Sequence, residues 1–154
     1  MRLYLVQHGE AQPKETDPDR PLTERGEVDL RHLGQFLFDH GVTVADLFHS
    51  GKTRARQSAE ILSEYVCPGL LPQPLDGLGP TDPTAPVAEQ AAGWDRDTLL
   101  VGHLPFMGRL VAALALGAEE PVPVGFHPGS LVCLERDPEA GWQVAFMVRP
   151  DLLS

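Results

Sequence analysis

Three stretches of this chain end or begin regular structure on residues that can do chemistry: LVQHGEA at residues 5–11, HSGKTRARQSAEIL at 49–62 and LLVGHLPFMGRL at 99–110. In the first, an almost wholly apolar run stops on Gln7-His8-Gly9-Glu10. In the third, a second apolar run stops on His103, and between them Arg54 stands in the first turn of a helical pattern. A neutral imidazole can attack phosphorus, while a guanidinium and a second imidazole hold the equatorial oxygens of the transferring group. Gly9, which has no side chain, lets another group come close to the backbone beside His8. A metal-dependent hydrolase built on His8, Glu10 and His103 is the competing reading. It lacks the HExxH type of spacing that sets two imidazoles on one helix face.

These side chains act together only if the fold brings them to one place. Residues 2–7 read as a strand covered on both faces, which favours a parallel sheet. After a polar, proline-rich loop over 12–21, PLTERGEVDLRHLGQFLFDHG has Thr23 placed as an N-cap and Gly41 as a stop, with Leu30, Leu33, Phe36 and Leu37 at helical spacing. VADLFHS predicts a short strand, and GKTRARQSAEILSEYV a helix with Ala55, Ala59, Ile61, Leu62 and Val66 turned inward. Residues 67–86 are so rich in proline and glycine that a surface loop over the sheet edge, with no regular element, is expected. A short helix over VAEQAAG, a buried strand over DTLLVGH and a helix over LPFMGRLVAALALG with Pro105 in its first turn follow. SLVCLERD and GWQVAFMVRP close the chain as a hairpin. Units that alternate in this way put ligands outside the carboxyl ends of the strands, where His8, Arg54 and His103 all arrive.

At 154 residues, 42% hydrophobic and 22% charged, the chain is the size of one compact domain that buries roughly two-thirds of its unfolded surface. Its 22 acidic against 12 basic residues leave a formal charge of −10, which argues against nucleic-acid and anionic-membrane partners, since both need a basic face. Any phosphate site must therefore be built locally. Cys67 and Cys133 lie far apart without CxxC or CxxxC spacing, so they read as two reduced apolar thiols rather than a zinc ribbon or a disulfide framework. LYLV is too short for the core of a signal peptide, and LVAALALG is too short to span a bilayer. A soluble, cytoplasmic protein is expected.

Taken together, LVQHGEA, DRPLTERG, HSGKTRARQSAEIL and LLVGHLPFMGRLVAAL resemble, in order, the motifs of the histidine phosphatase superfamily. The short length and the RPLT and GHLP pieces look most like its SixA-type phosphohistidine phosphatase branch. The resemblance implies a phosphoglycerate mutase-like fold, a three-layer α/β/α sandwich with a mostly parallel central sheet, and residues 1–154 as a single domain. It implies His8 as the nucleophile that becomes phosphorylated, Arg54 and His103 as the groups that hold the phosphoryl oxygens, and Arg20 near the pocket rim; with Arg20, the Gln7 amide and Gly9 that flank His8 are the candidate substrate-binding positions. It also implies that no metal or other cofactor takes part.

One position departs from the family pattern, which has Arg-His-Gly where this chain has Gln7-His8-Gly9. Charge-assisted hydrogen bonds contribute ~1.5–3 kcal/mol and neutral ones ~0.5–1.5, so the difference of roughly 1–2 kcal/mol slows chemistry about tenfold without abolishing it. Arg20, Arg56 and Lys14 are the cations available to replace the charge. The proton donor is the second open position: Asp82 and Glu10 are candidates, with Asp76 a further acid in the proline-rich loop. Asp82 also reads as a turn residue and Glu10 as one that orders its loop. Cleaving a P–N bond demands less of such an acid, because the departing ring can be protonated beforehand. Little chain separates the Arg54 helix from the strand before His103, so little remains to form a lid. An open pocket admits a phosphorylated side chain of another protein, whereas small sugar phosphates usually demand enclosure.

The expected activity is thus a metal-independent phosphatase with a covalent phosphohistidine intermediate, acting on phosphohistidine in a partner protein. The alternatives are a phosphomonoesterase for a small phosphorylated metabolite, and a phosphate-binding module whose catalysis is weak or lost because of Gln7. His49 and Ser50 read as a polar turn ending a strand. His32, His40 and His127 are given no role.

Overall fold

The computed structural model describes residues 1–153. Among them, strands β1 (Arg2–Gln7), β2 (Asp46–His49), β3 (Gln73–Pro74), β4 (Thr98–Gly102), β5 (Leu131–Asp137) and β6 (Gly141–Val148) form one sheet in the order β3-β2-β4-β1-β5-β6. The first four strands in that order run parallel, and β5 and β6 are antiparallel to their neighbours. Helices α1 (Glu24–Asp39) and α2 (Thr53–Val66) cover one face, while α3 (Ala85–Ala92) and α4 (Phe106–Leu116) cover the other. The expected three-layer α/β/α sandwich is therefore observed.

The apolar run of β1 has its physical reason in this layering. Tyr4 and Val6 pack toward α1 and α2, Leu3 and Leu5 toward α3 and α4, and all four are buried. On α1 the apolar stripe Leu30, Leu33 and Leu37 is wholly buried, at about 2 kcal/mol per side chain. Thr23 caps this helix as expected, its hydroxyl accepting the Gly26 N–H at 3.0 Å. Phe36, at the edge of the stripe, is only partly buried.

Three expectations need correction. The proline-rich segment 67–86 does contain a regular element, the two-residue strand β3, because Phe48 and His49 of β2 offer a free parallel edge to Gln73 and Pro74. Its Leu78 is fully buried against α3 and α4, so the segment is anchored to the core rather than lying over it. On α2, Ile61 is only partly buried, and the inward face includes Ser58 and Ser63 instead. Pro105 stands at the N-cap of α4, one residue before the helix begins.

Topology decides which residues meet. β4 is inserted between β1 and β2, with Gln7 opposite Gly102 and His49 opposite Val101. The residues that follow these pairs, His8, His103 and Ser50, therefore leave neighbouring strands at the same edge, roughly 5 Å apart from strand to strand. The His8 N–H donates to the Gly102 carbonyl at 3.0 Å, which extends the β1–β4 ladder one residue past the strand.

Candidate active site

His8 is buried, and its Nδ1 lies 2.7 Å from the Gly9 carbonyl oxygen. A carbonyl can only accept, so Nδ1 carries the proton and donates, and Nε2 keeps its lone pair. Arg54 Nε, from the first turn of α2, donates to that lone pair at 3.3 Å. Burial pushes the imidazole down to about 4; the Gly9 bond opposes this, and the charges of Arg54 and Arg20 add to it. At neutral pH the His8 ring is thus neutral, with a fixed tautomer and the lone pair on Nε2.

His103 stands beside it, the two ring centres 5.0 Å apart at an angle of 52°. Its Nε2 lies 2.6 Å from Ser50 Oγ, and its buried Nδ1 has no hydrogen-bond partner among the described residues. Burial lowers it to about 3, with His8, Arg54, Lys52 and Arg20 adding to the shift. Burial also lowers the Arg54 guanidinium, with help from the Arg20 charge; it remains a cation at any physiological pH. Two neutral imidazoles and a guanidinium thus converge on one mouth.

Two serines tie this cluster together. Ser58, one turn beyond Arg54 on α2, donates to the Arg54 carbonyl at 2.7 Å and accepts the Gly9 N–H at 3.0 Å. This single buried hydroxyl locks the loop carrying His8 to the helix carrying Arg54. Ser58 is not among the candidates the sequence offers, although a polar residue in the apolar stripe of Ala55, Ala59 and Leu62 is a visible signal. Ser50 does hold the turn, its Oγ accepting the Lys52 N–H at 3.3 Å, and it also sets its hydroxyl against His103. The reading of His49 stands: its Nδ1 accepts the Gly51 N–H at 3.0 Å and shapes the turn.

The remaining expected positions divide. Gly9 does not offer its backbone to a ligand, because its N–H is held by Ser58. What comes close is α1: a Cβ on Gly9 would lie 2.8 Å from Leu30 Cδ1 and 3.1 Å from the Gly26 carbonyl. Gly26 is itself pressed against this loop, and a Cβ there would meet the Glu10 carbonyl oxygen at 2.2 Å. Gln7 is buried, with Oε1 unpartnered among the described residues. Arg20 adopts φ 48°, in the left-handed region, with Nε on the Gln12 carbonyl at 3.0 Å; its charge reaches His8, Arg54 and His103. Arg56 is paired with Glu60 at 2.9 Å, and Lys14 is exposed. The Glu10 carboxylate accepts from the Thr23 hydroxyl at 2.9 Å, and Asp82 accepts the Gly79 N–H at 2.8 Å, so both carboxylates hold turns. Asp76 is exposed. Among the described residues no three His, Cys, Asp or Glu side chains gather as a metal site requires.

A family model described as histidine phosphatase superfamily (branch 1) matches residues 3–78, a span that includes His8, Arg20 and Arg54. The chain belongs to the histidine phosphatase superfamily. An uncharacterised protein of Picosynechococcus sp. (strain PCC 7002) is 35% identical over 124 residues, 76% of this chain and 74% of that protein. Among solved structures, the protein histidine phosphatase SixA complexed with tungstate superposes with a TM-score of 0.86 at 23% identity, covering 99% of each chain. A mycobacterial glucosyl-3-phosphoglycerate phosphatase, solved with VO3, superposes with a TM-score of 0.70 at 19% identity, over 94% of this chain and 97% of that one. These likenesses establish the phosphoglycerate mutase-like fold that superfamily members share. Among the described residues no helix is long and apolar enough to cross a membrane.

Proposed function

We propose that this chain is a metal-independent phosphatase that passes a phosphoryl group through His8 and takes it from phosphohistidine in a partner protein. The observation that carries the reading is the Nδ1–H bond of His8 to the Gly9 carbonyl, which leaves a neutral Nε2 beside Arg54 and His103. In the first step Nε2 attacks phosphorus and the bond from phosphorus to the substrate imidazole breaks, that ring leaving neutral once protonated on its other side. Positive charge then develops on the His8 ring, and the Gly9 carbonyl on Nδ1–H stabilises it. Arg54 and the His103 N–H hold the equatorial oxygens, whose negative charge is spread in the transition state. In the second step water attacks phosphorus, the P–Nε2 bond breaks, and orthophosphate and neutral His8 are regenerated. Arg20, near enough for its charge to reach all three groups, supplies the positive field that Gln7 does not.

Two features support a protein substrate. The carboxylates of Glu10 and Asp82, the acids the sequence offers as proton donors, are engaged in turns, which suits a P–N bond that needs no strong acid to break. The segment between α2 and β4 carries only the two-residue β3 and the short helix α3 and is anchored by Leu78, which leaves little chain to enclose a small substrate. The test is a panel of phosphohistidine peptide, sugar phosphates and phosphoserine, run with and without excess chelator, alongside trapping of acid-labile phosphate on the chain. Turnover of the phosphohistidine peptide in chelator, with label that His8→Ala abolishes, is the expected result. Faster turnover of the small phosphates would point to a metabolite phosphomonoesterase. Wild type matching His8→Ala throughout would leave a phosphate-binding module.

A further inference from the structure

Ser50 lies in the turn between β2 and α2, and its hydroxyl meets His103 Nε2 at 2.6 Å. A serine hydroxyl has one proton to give and two lone pairs. Ser50 Oγ already accepts the Lys52 N–H at 3.3 Å, and its own single proton has no acceptor among the described residues except His103 Nε2. A neutral imidazole has one N–H and one lone pair. We propose that Ser50 is a positioning residue: by donating to Nε2 it fixes His103 as the Nδ1–H tautomer and so makes the ring a donor to the phosphoryl oxygens.

Two further observations favour this direction. His103 Nδ1 is buried without a partner among the described residues, so the tautomer is fixed from the Ser50 side of the ring. The charged groups acting on the ring are Arg54 from α2, Lys52 from the turn and Arg20 from the loop before α1, with neutral His8 at the end of β1. All three charges are positive, so no carboxylate competes to pull the proton to the other nitrogen. Without Ser50, little in the site decides whether the ring presents a donor or an acceptor.

The inference rests on reading the site as a phosphoryl pocket, and its test separates the two. Long-range proton–nitrogen correlation spectra of the 15N-labelled full chain report which ring nitrogen of His103 is protonated, with no substrate present. Wild type, Ser50→Ala and Ser50→Thr are compared, with orthovanadate binding and a thermal melt recorded on the same samples. Wild type is expected to be protonated at Nδ1. Ser50→Ala should populate the Nε2–H form and weaken orthovanadate about tenfold, the equivalent of one hydrogen bond, and Ser50→Thr should restore both. A wild-type ring protonated at Nε2 overturns the proposal, as does a folded Ser50→Ala that keeps both the tautomer and the affinity. Should Ser50→Ala fail to fold, the wild-type tautomer decides alone. Loss of the phosphatase reading has another signature: no phosphate on His8 while the Nδ1–H tautomer stays in place.

Discussion

Replacing Ser58 by alanine removes one oxygen atom from the interior, and two hydrogen bonds go with it. Their consequences are unequal. The Arg54 carbonyl remains within the hydrogen-bond ladder of α2 and is not orphaned. Among the described residues the Gly9 N–H has its partner only in Ser58 Oγ, at a site where Ser58 itself is fully buried, so it is left unsatisfied. An orphaned buried donor costs about 1–3 kcal/mol, and the volume lost is too small to add a substantial cavity. Ser58→Ala should therefore lower the urea midpoint by an amount equivalent to about 2 kcal/mol, with an unchanged slope. Ser63→Ala is the internal control. It makes the same chemical change on the same helix, but the Ser63 hydroxyl only donates to the Glu60 carbonyl at 2.7 Å and accepts nothing, so its loss should cost under about 1 kcal/mol. Turnover should fall in Ser58→Ala alone, because the loop bearing His8 is no longer keyed to the helix bearing Arg54. Equal destabilisation by the two substitutions would refute the claim that Ser58 couples these elements.

The histidine shifts set a direction for acid stability. Both His8, at about 4, and His103, at about 3, lie below the ordinary 6.5, so the unfolded chain takes up protons that the native state refuses. Their contribution is complete above pH 6.5 and declines as pH falls toward 4, by about 2 kcal/mol per histidine at pH 5; urea midpoints at pH 7.5 and 5 measure it, and His103→Gln should flatten the difference by roughly half. Gly26→Ala drives a Cβ to 2.2 Å from the Glu10 carbonyl oxygen. The clash outweighs the gain of about 1 kcal/mol in helix propensity, so a net loss of about 2 kcal/mol is expected, read as a fall in Tm of roughly 4–8 °C. Gln7→Arg adds a second charge beside His8 and should leave kcat/KM within about threefold of wild type, because Arg20 already supplies that field; a tenfold rise would refute the role given to Arg20.

The contrast between legible and illegible features has a physical basis in this chain. The apolar run of β1, the Thr23 cap and the Leu30, Leu33 and Leu37 stripe were readable because each depends on neighbours within a few residues. His8, Arg54 and His103 were readable as candidates because each follows or opens such an element. The strand β3 was not, since Gln73 and Pro74 have little strand preference of their own and pair only because β2 presents an edge. That Leu30 of α1 needs the missing Cβ of Gly9 was not legible either, since the contact joins elements distant in the chain.

By itself the sequence determined the periodicity of the elements, the caps and the chemical types available at the strand ends, all short-range properties of the backbone and of water's exclusion from apolar side chains. Tertiary structure alone decided that β4 lies between β1 and β2, and hence that His8, His103 and Ser50 share one edge. It alone gave the Ser50 and Ser58 hydroxyls their partners, 53 and 49 residues away in the chain. A hydroxyl carries no sign of its partner in its own sequence neighbourhood, because the energy of a hydrogen bond depends on distance and direction in space, and long-range packing sets both.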